Sequence, residues 1–176
     1  MFENFGGDDF AEALEQISVI GGAGAMLQIL NRAEYDDDEG YNTGEAGDDF
    51  MAALEQIIVD GGNGQTTVDI VNEGGRDFME ELAIIDVMAL DNVSVKIDAD
   101  FYGYFSTEPA EPLNSKDFMA SLETIEVVSE TGHADLSISH DGASGFMEDL
   151  ESIFIRGAFE NPEDEYSGYR GARLSI

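Results

Sequence analysis

Asp49-Phe50-Met51-Ala52-Ala53-Leu54-Glu55-Gln56-Ile57-Ile58-Val59 decides the fold, because the stretch occurs five times. The other copies centre on Phe10, Phe78, Phe118 and Phe146. Each Phe is followed by Leu at plus four, Ile at plus seven, and Val or Ile at plus nine. Positions i, i+4 and i+7 share one face of a helix. Plus seven and plus nine are two apart, the strand period. Each copy therefore reads as a two-turn helix that changes into a strand at its Ile. An Asp precedes the Phe in the first four copies (Asp9, Asp49, Asp77, Asp117), where it reads as an N-cap. Glu12 and Glu80 complete near-capping boxes in two of them.

Working outward, each first strand runs into a turn and a second strand. Gly21-Gly22-Ala23-Gly24 leads to Met26–Leu30, and Asp60–Gly64 leads to Thr67–Val71. Gly, Asn and Asp between alternating apolar runs are hairpin chemistry. The Phe anchors are spaced 50−10=40, 78−50=28, 118−78=40 and 146−118=28 residues apart. A unit duplicated as a pair, with a superperiod of 40+28=68, accounts for the alternation.

The expectation is thus an α+β fold of five helix–strand–strand repeats. Its antiparallel β-sheet, open or curled, carries the short helices on one face. The chain is read as one repeat domain over 1–176, with units near 8–48, 49–75, 76–115, 116–144 and 145–176. Ten strands at about 4.8 Å would make an open sheet of roughly 48 Å.

Charge frames function. There are 39 Asp and Glu against 7 Lys and Arg, a net charge of −32. Such a chain repels nucleic acid and anionic membranes and attracts basic protein surfaces, among them nucleic-acid-binding clefts. A halophilic surface, a calcium-loading surface and a nucleic-acid mimic all have this composition. No Cys is present, so thiolate catalysis and Cys-ligated metals are excluded. The first residues, Met1-Phe2-Glu3-Asn4-Phe5-Gly6-Gly7, show neither the basic region nor the apolar run of a signal peptide. The expected location is a host cytoplasm or a virion.

Catalytic and metal motifs fail one by one. An EF-hand started at Asp98 places Pro109 where the twelfth-position Glu belongs. His133 and His140, seven apart on a strand, point to opposite faces and make no zinc set. Ser144 lacks the nucleophile-elbow pattern, and Gly21–Gly24 lacks the lysine of a phosphate loop. No catalytic residue, cofactor or metal is assigned, and the chain is read as no enzyme. Arg156, Arg170 and Arg173, with Tyr166 and Tyr169, mark the region fit to meet an acidic surface, including a second copy.

Over a 48 Å sheet the net charge falls at about one per 1.5 Å, against one per about 1.7 Å of duplex DNA. The leading expectation is a nucleic-acid mimic that inhibits a DNA- or RNA-binding protein, of the phage or mobile-element anti-defence type. Its partner-binding acids would be Glu34, Asp36, Asp37, Asp38, Glu39, Asp48, Asp49, Asp60 and Asp69. The alternative is a structural assembly protein (virion decoration, fibre or filament subunit) pairing through its edge strands, its charge reflecting saline or calcium.

Overall fold

A computed structural model of the chain describes residues 1–5, 9–32, 35–36, 41–42, 47–73, 75–99, 117–140, 145–158 and 172–176. The strands are β1 (Phe2–Phe5), β2 (Gln16–Ile20), β3 (Ala25–Arg32), β4 (Tyr35–Asp36), β5 (Tyr41–Asn42), β6 (Gln56–Asp60), β7 (Thr66–Asn72), β8 (Ile84–Ala89), β9 (Val93–Ala99), β10 (Thr124–Ser129), β11 (Ala134–His140), β12 (Ser152–Arg156) and β13 (Ala172–Ser175). One sheet has the order β1-β3-β7-β9-β11-β13 and the other β12-β10-β8-β6-β2. Every pairing within these two sheets is parallel, and β4–β5 is a separate antiparallel pair.

The chain is a β-solenoid. Each repeat forms one coil, with a strand in the five-stranded sheet, a Gly-rich corner, a strand in the six-stranded sheet, and a return to the next coil. Equivalent residues of successive coils pair in register. Ile17, Ile57, Ile85, Ile125 and Ile153 form one column, and Val19, Val59, Val87, Val127 and Ile155 another. In the facing sheet Leu27, Val68, Val95, Leu136 and Leu174 form a third. These columns point inward, and in the three middle coils they are buried. The core is therefore a stack of like side chains, each coil contacting its neighbours above and below.

The helix–strand–strand reading is overturned: among the described residues there is no helix, and the large sheets are parallel. The reason lies in the backbone on either side of each Phe. Asp49 and Met51 have φ of 52° each, Asp77 and Met79 of 51° each, and Asp117 and Met119 of 57° and 48°. The same pair of left-handed residues recurs at Asp9 and Ala11, and at Gly145 and Met147. A right-handed helix cannot contain them. They fold the chain round a corner, so Phe50, Leu54 and Ile57 share the inside because the coil curves, not because a helix turns. The Asp is no N-cap either. It holds a left-handed position, which Asp tolerates better than most residues and which Gly145 fills in the last copy.

Hydrogen bonding follows the same logic. Met51 N–H donates to Phe10 O of the preceding coil at 2.9 Å, and Met79 N–H donates to Phe50 O at 3.0 Å. Corner amides are thus satisfied between coils. Within the corner, Leu54 N–H closes a tight turn on Met51 O at 2.9 Å. The expected hairpins are overturned too, since their Gly-rich turns carry the chain from one sheet to the other. The coils pack closely there: a side chain at Gly62 (φ 58°) would meet Gly21 O of the coil below at 2.5 Å. Six strands at about 4.8 Å give an axial length of about 24 Å, half that of the expected open sheet.

Candidate interaction surfaces

The corner that carries the Phe also carries the acids. Its outward positions stack along the solenoid axis, so Asp9, Asp49, Asp77 and Asp117 form one column, ending on Gly145. Glu12, Glu80 and Glu148 alternate with Ala52 and Ala120 in the next. Like charges in neighbouring coils repel. Burial, then Asp77, Asp117, Glu81 and Asp49, push the Glu80 carboxyl above its ordinary value. The result is a self-repelling carboxylate ridge parallel to the axis.

A second acidic line crosses the outer face of the five-stranded sheet, where Asp86 stands in register with Glu126. Burial raises the Asp86 carboxyl first, and Glu126 and Asp60 add to it. Its Oδ1 is buried without a hydrogen-bond partner. Beside it lies a groove of about 360 Å³ lined by Asp60, Met88, Leu90, Glu126, Val128 and Arg156, among others. This face also exposes Ile84 and Met88, so it is neither a clean anionic surface nor a clean apolar one.

The expected partner-binding acids do not converge. Asp48 and Asp49 sit at the Phe corner, where Asp48 Oδ1 accepts from Arg76 N–H at 2.7 Å. Asp60 ends β6 on the other sheet's outer face, its Oδ1 accepting from Gly62 N–H at 2.8 Å. Asp69 lies on the outer face of the six-stranded sheet, in register with Lys96. Asp36 is placed only as backbone in β4, and Glu34, Asp37, Asp38 and Glu39 lie outside the described residues. Ser144 and Arg170 also lie outside them. Sequence reasoning missed Asp77, Glu80, Asp86 and Glu126 as neighbours. The signal was there in their fixed offsets from each Phe, but it is readable only once the repeats are stacked.

The histidines are separate. His133 Nε2 lies 3.0 Å from Asp135 Oδ1, and the His140 ring stacks on Phe146 at 4.5 Å. Among the described residues no group of three or more His, Asp or Glu is placed to hold a metal. Among the same residues no helix is long and apolar enough to cross a membrane.

The two ends of the solenoid are the other candidate surfaces. At the first, β1 pairs only with β3 and β2 only with β6 among the described residues. At the last, β12 pairs only with β10 and β13 only with β11. Ile20 is 81% exposed at one end and Ile176 83% at the other. Leu174, whose column mate Leu136 is 1% exposed, is itself 46% exposed, so the core opens to the outside there.

Comparison with known proteins finds no matching family model, no matching curated protein and no matching solved structure. Function therefore rests on the geometry of these surfaces.

Proposed function

We propose that the chain is a non-enzymatic structural assembly protein, a solenoid segment that takes further β-strands on its open ends. One observation carries this. Solenoids need polar capping coils to stay soluble, and here both terminal coils instead present unpaired strand edges with Phe5, Ile20, Phe154, Leu174 and Ile176 exposed. Unpaired parallel edges with apolar side chains are templates for strand addition. The acids then set when joining occurs, since a net charge of −32 opposes close approach until salt screens it. A virion or filament is a setting that suits such a part. The test is sedimentation velocity while salt is raised from about 0.05 to about 2 M, across which the Debye length falls from over 10 Å to a few ångströms. Stepwise growth of discrete oligomers supports the reading. A monomer throughout sinks it.

The nucleic-acid mimic is the second reading, and the carboxylate ridge favours it. The charge match that first suggested it changes with the fold. Over about 24 Å the same net charge falls at about one per 0.8 Å, roughly twice as dense as duplex DNA. What remains is the regular column of carboxylates, suited to a basic cleft in a nucleic-acid-handling protein. Neutralising Asp77, Glu80 and Glu81 together should then abolish salt-sensitive displacement of DNA or RNA from that cleft. Unchanged displacement by the triple variant would remove the ridge from the account.

A further inference from the structure

Two strands of the six-stranded sheet are half length, and their halves are complementary. β13 pairs with the first half of β11: Ala172 to Ala134, Arg173 to Asp135, Leu174 to Leu136 and Ser175 to Ser137. β1 pairs with the second half of β3: Phe2 to Ile29, Glu3 to Leu30, Asn4 to Asn31 and Phe5 to Arg32. Following the columns through β7, β9 and β11, Ser137 belongs with Gln28 and Ile138 with Ile29. So β13 fills the columns up to Gln28, and β1 fills them from Ile29 onward. The five-stranded sheet agrees. Beside β1 it has no strand before β2, and beside β13 it has β12.

We propose that the last coil of one copy and β1 of a second copy form one shared coil, so that copies stack head to tail in a continuous solenoid. This rests on the assembly reading and names its partner as a second copy of this chain. β13 of the first copy and β1 of the second lie end to end in one rung. Met1 and Ile176, outside the two strands, turn out of the seam. β2 of the second copy then adds to β12 of the first. Every inward column continues: Ile153 meets Ile17, Ile155 meets Val19, Leu174 meets Leu27, and Phe146 meets Phe10. β1 also covers Ile138, Ser139 and His140, which extend beyond β13. Arg156 and Arg173 lie in the last coil, and Glu3, Glu12 and Glu15 in the first strands and corner, so cations sit at one end and acids at the other. Each copy adds five coils, or about 24 Å of length.

Cysteine pairing tests it, because the chain contains no Cys. In the shared register Ser152 of one copy faces Gln16 of the next, and both side chains are exposed. Neighbouring in-register strands bring their Cα atoms to about 4.8 Å, within disulfide reach. Within one copy the two residues are four coils apart, about 19 Å, and cannot bond. The variant carrying Gln16→Cys and Ser152→Cys, oxidised at high salt, should give a reducible ladder of trimers and larger species. Gln16→Cys alone and Ser152→Cys alone should stay uncrosslinked. Dimers from either single variant would mean head-to-head or tail-to-tail contact and overturn the proposal. Oligomers in sedimentation without a covalent ladder from the double variant would overturn it too, while leaving the assembly reading intact. No oligomers at any salt would end both.

Discussion

Phe50 and Phe78 lie face to face, ring centroids 5.1 Å apart and planes 8° from parallel. The same 5.1 Å separates Phe10 from Phe50, Phe78 from Phe118 and Phe118 from Phe146. Each middle ring is supported on both faces and fully buried. Phe78→Ala should therefore cost about 3–5 kcal/mol in urea unfolding, the range for a core aromatic truncation. Phe146→Ala, at a half-buried end position, should cost clearly less. Equal losses at the two sites would contradict the stacked core.

The left-handed corner makes a different prediction. Asp117 has φ of 57°, and its counterpart in the next coil is Gly145 at 66°. Asp117→Gly should be close to neutral. Asp117→Val should destabilise by about 1–2 kcal/mol, the cost of forcing a branched residue into that region. A helix N-cap would rank the two differently, since loss of the cap oxygen would dominate both. Thermal unfolding of the pair decides it.

Asn31 is buried in a chain of amides. Its Nδ2 donates to Gly47 O at 2.7 Å and to Asn72 Oδ1 at 2.9 Å, and its Oδ1 accepts from Asn4 Nδ2 at 3.0 Å. Asn31→Ala strands partners in two neighbouring coils, each costing about 1–3 kcal/mol if left unpaired. Asn31→Ala should thus lose more stability than Gln28→Ala on the half-buried face of the same strand. Similar losses in chemical denaturation would show that the amide chain contributes little.

Acid should help this protein at one point. The Asp86 carboxyl is raised by burial, Glu126 and Asp60, so the folded state binds its proton more tightly than the unfolded state does. The penalty for its charge is full above the raised value. It fades as pH falls through that value and is gone below the ordinary 3.8. Asp86→Asn should therefore raise Tm at neutral pH, with the gain over the parent shrinking as pH falls toward 4. A gain that is independent of pH would assign the effect to packing and not to charge.

The spacing of Phe50, Leu54, Ile57 and Val59 revealed which residues are internal, and those four are fully buried. It did not reveal how the chain brings them together. Phe, Leu and Ile at i, i+4 and i+7 satisfy a helix and a curved coil alike, because both return the chain to one side. The difference rests on the signs of φ at Asp49 and Met51, and Met in a left-handed position has no sequence signature. Likewise Gly21–Gly24 marked a turn, but a hairpin and a corner between sheets ask for the same residues. The decisive clue was the repeat itself, since like residues at like offsets stack most simply as parallel coils. The acidic surface was legible as a total and not as a place, because Glu80 and Asp77 become neighbours of Asp117 only through stacking.

The sameness of the columns has a kinetic consequence. A coil added one place out of turn would bury nearly the same side chains as the correct one, so contact energy alone discriminates weakly between stacking orders. The intervals discriminate better. The coils of Phe50 and Phe78, and those of Phe118 and Phe146, are 28 residues apart and close the shorter loops. The other neighbours are 40 apart. Folding should then begin as two separate two-coil nuclei that dock, with skipped-coil traps giving the slow phase. Pulse-labelled hydrogen exchange should find the amides shared by β6 and β8, and by β10 and β12, protected before those shared by β8 and β10.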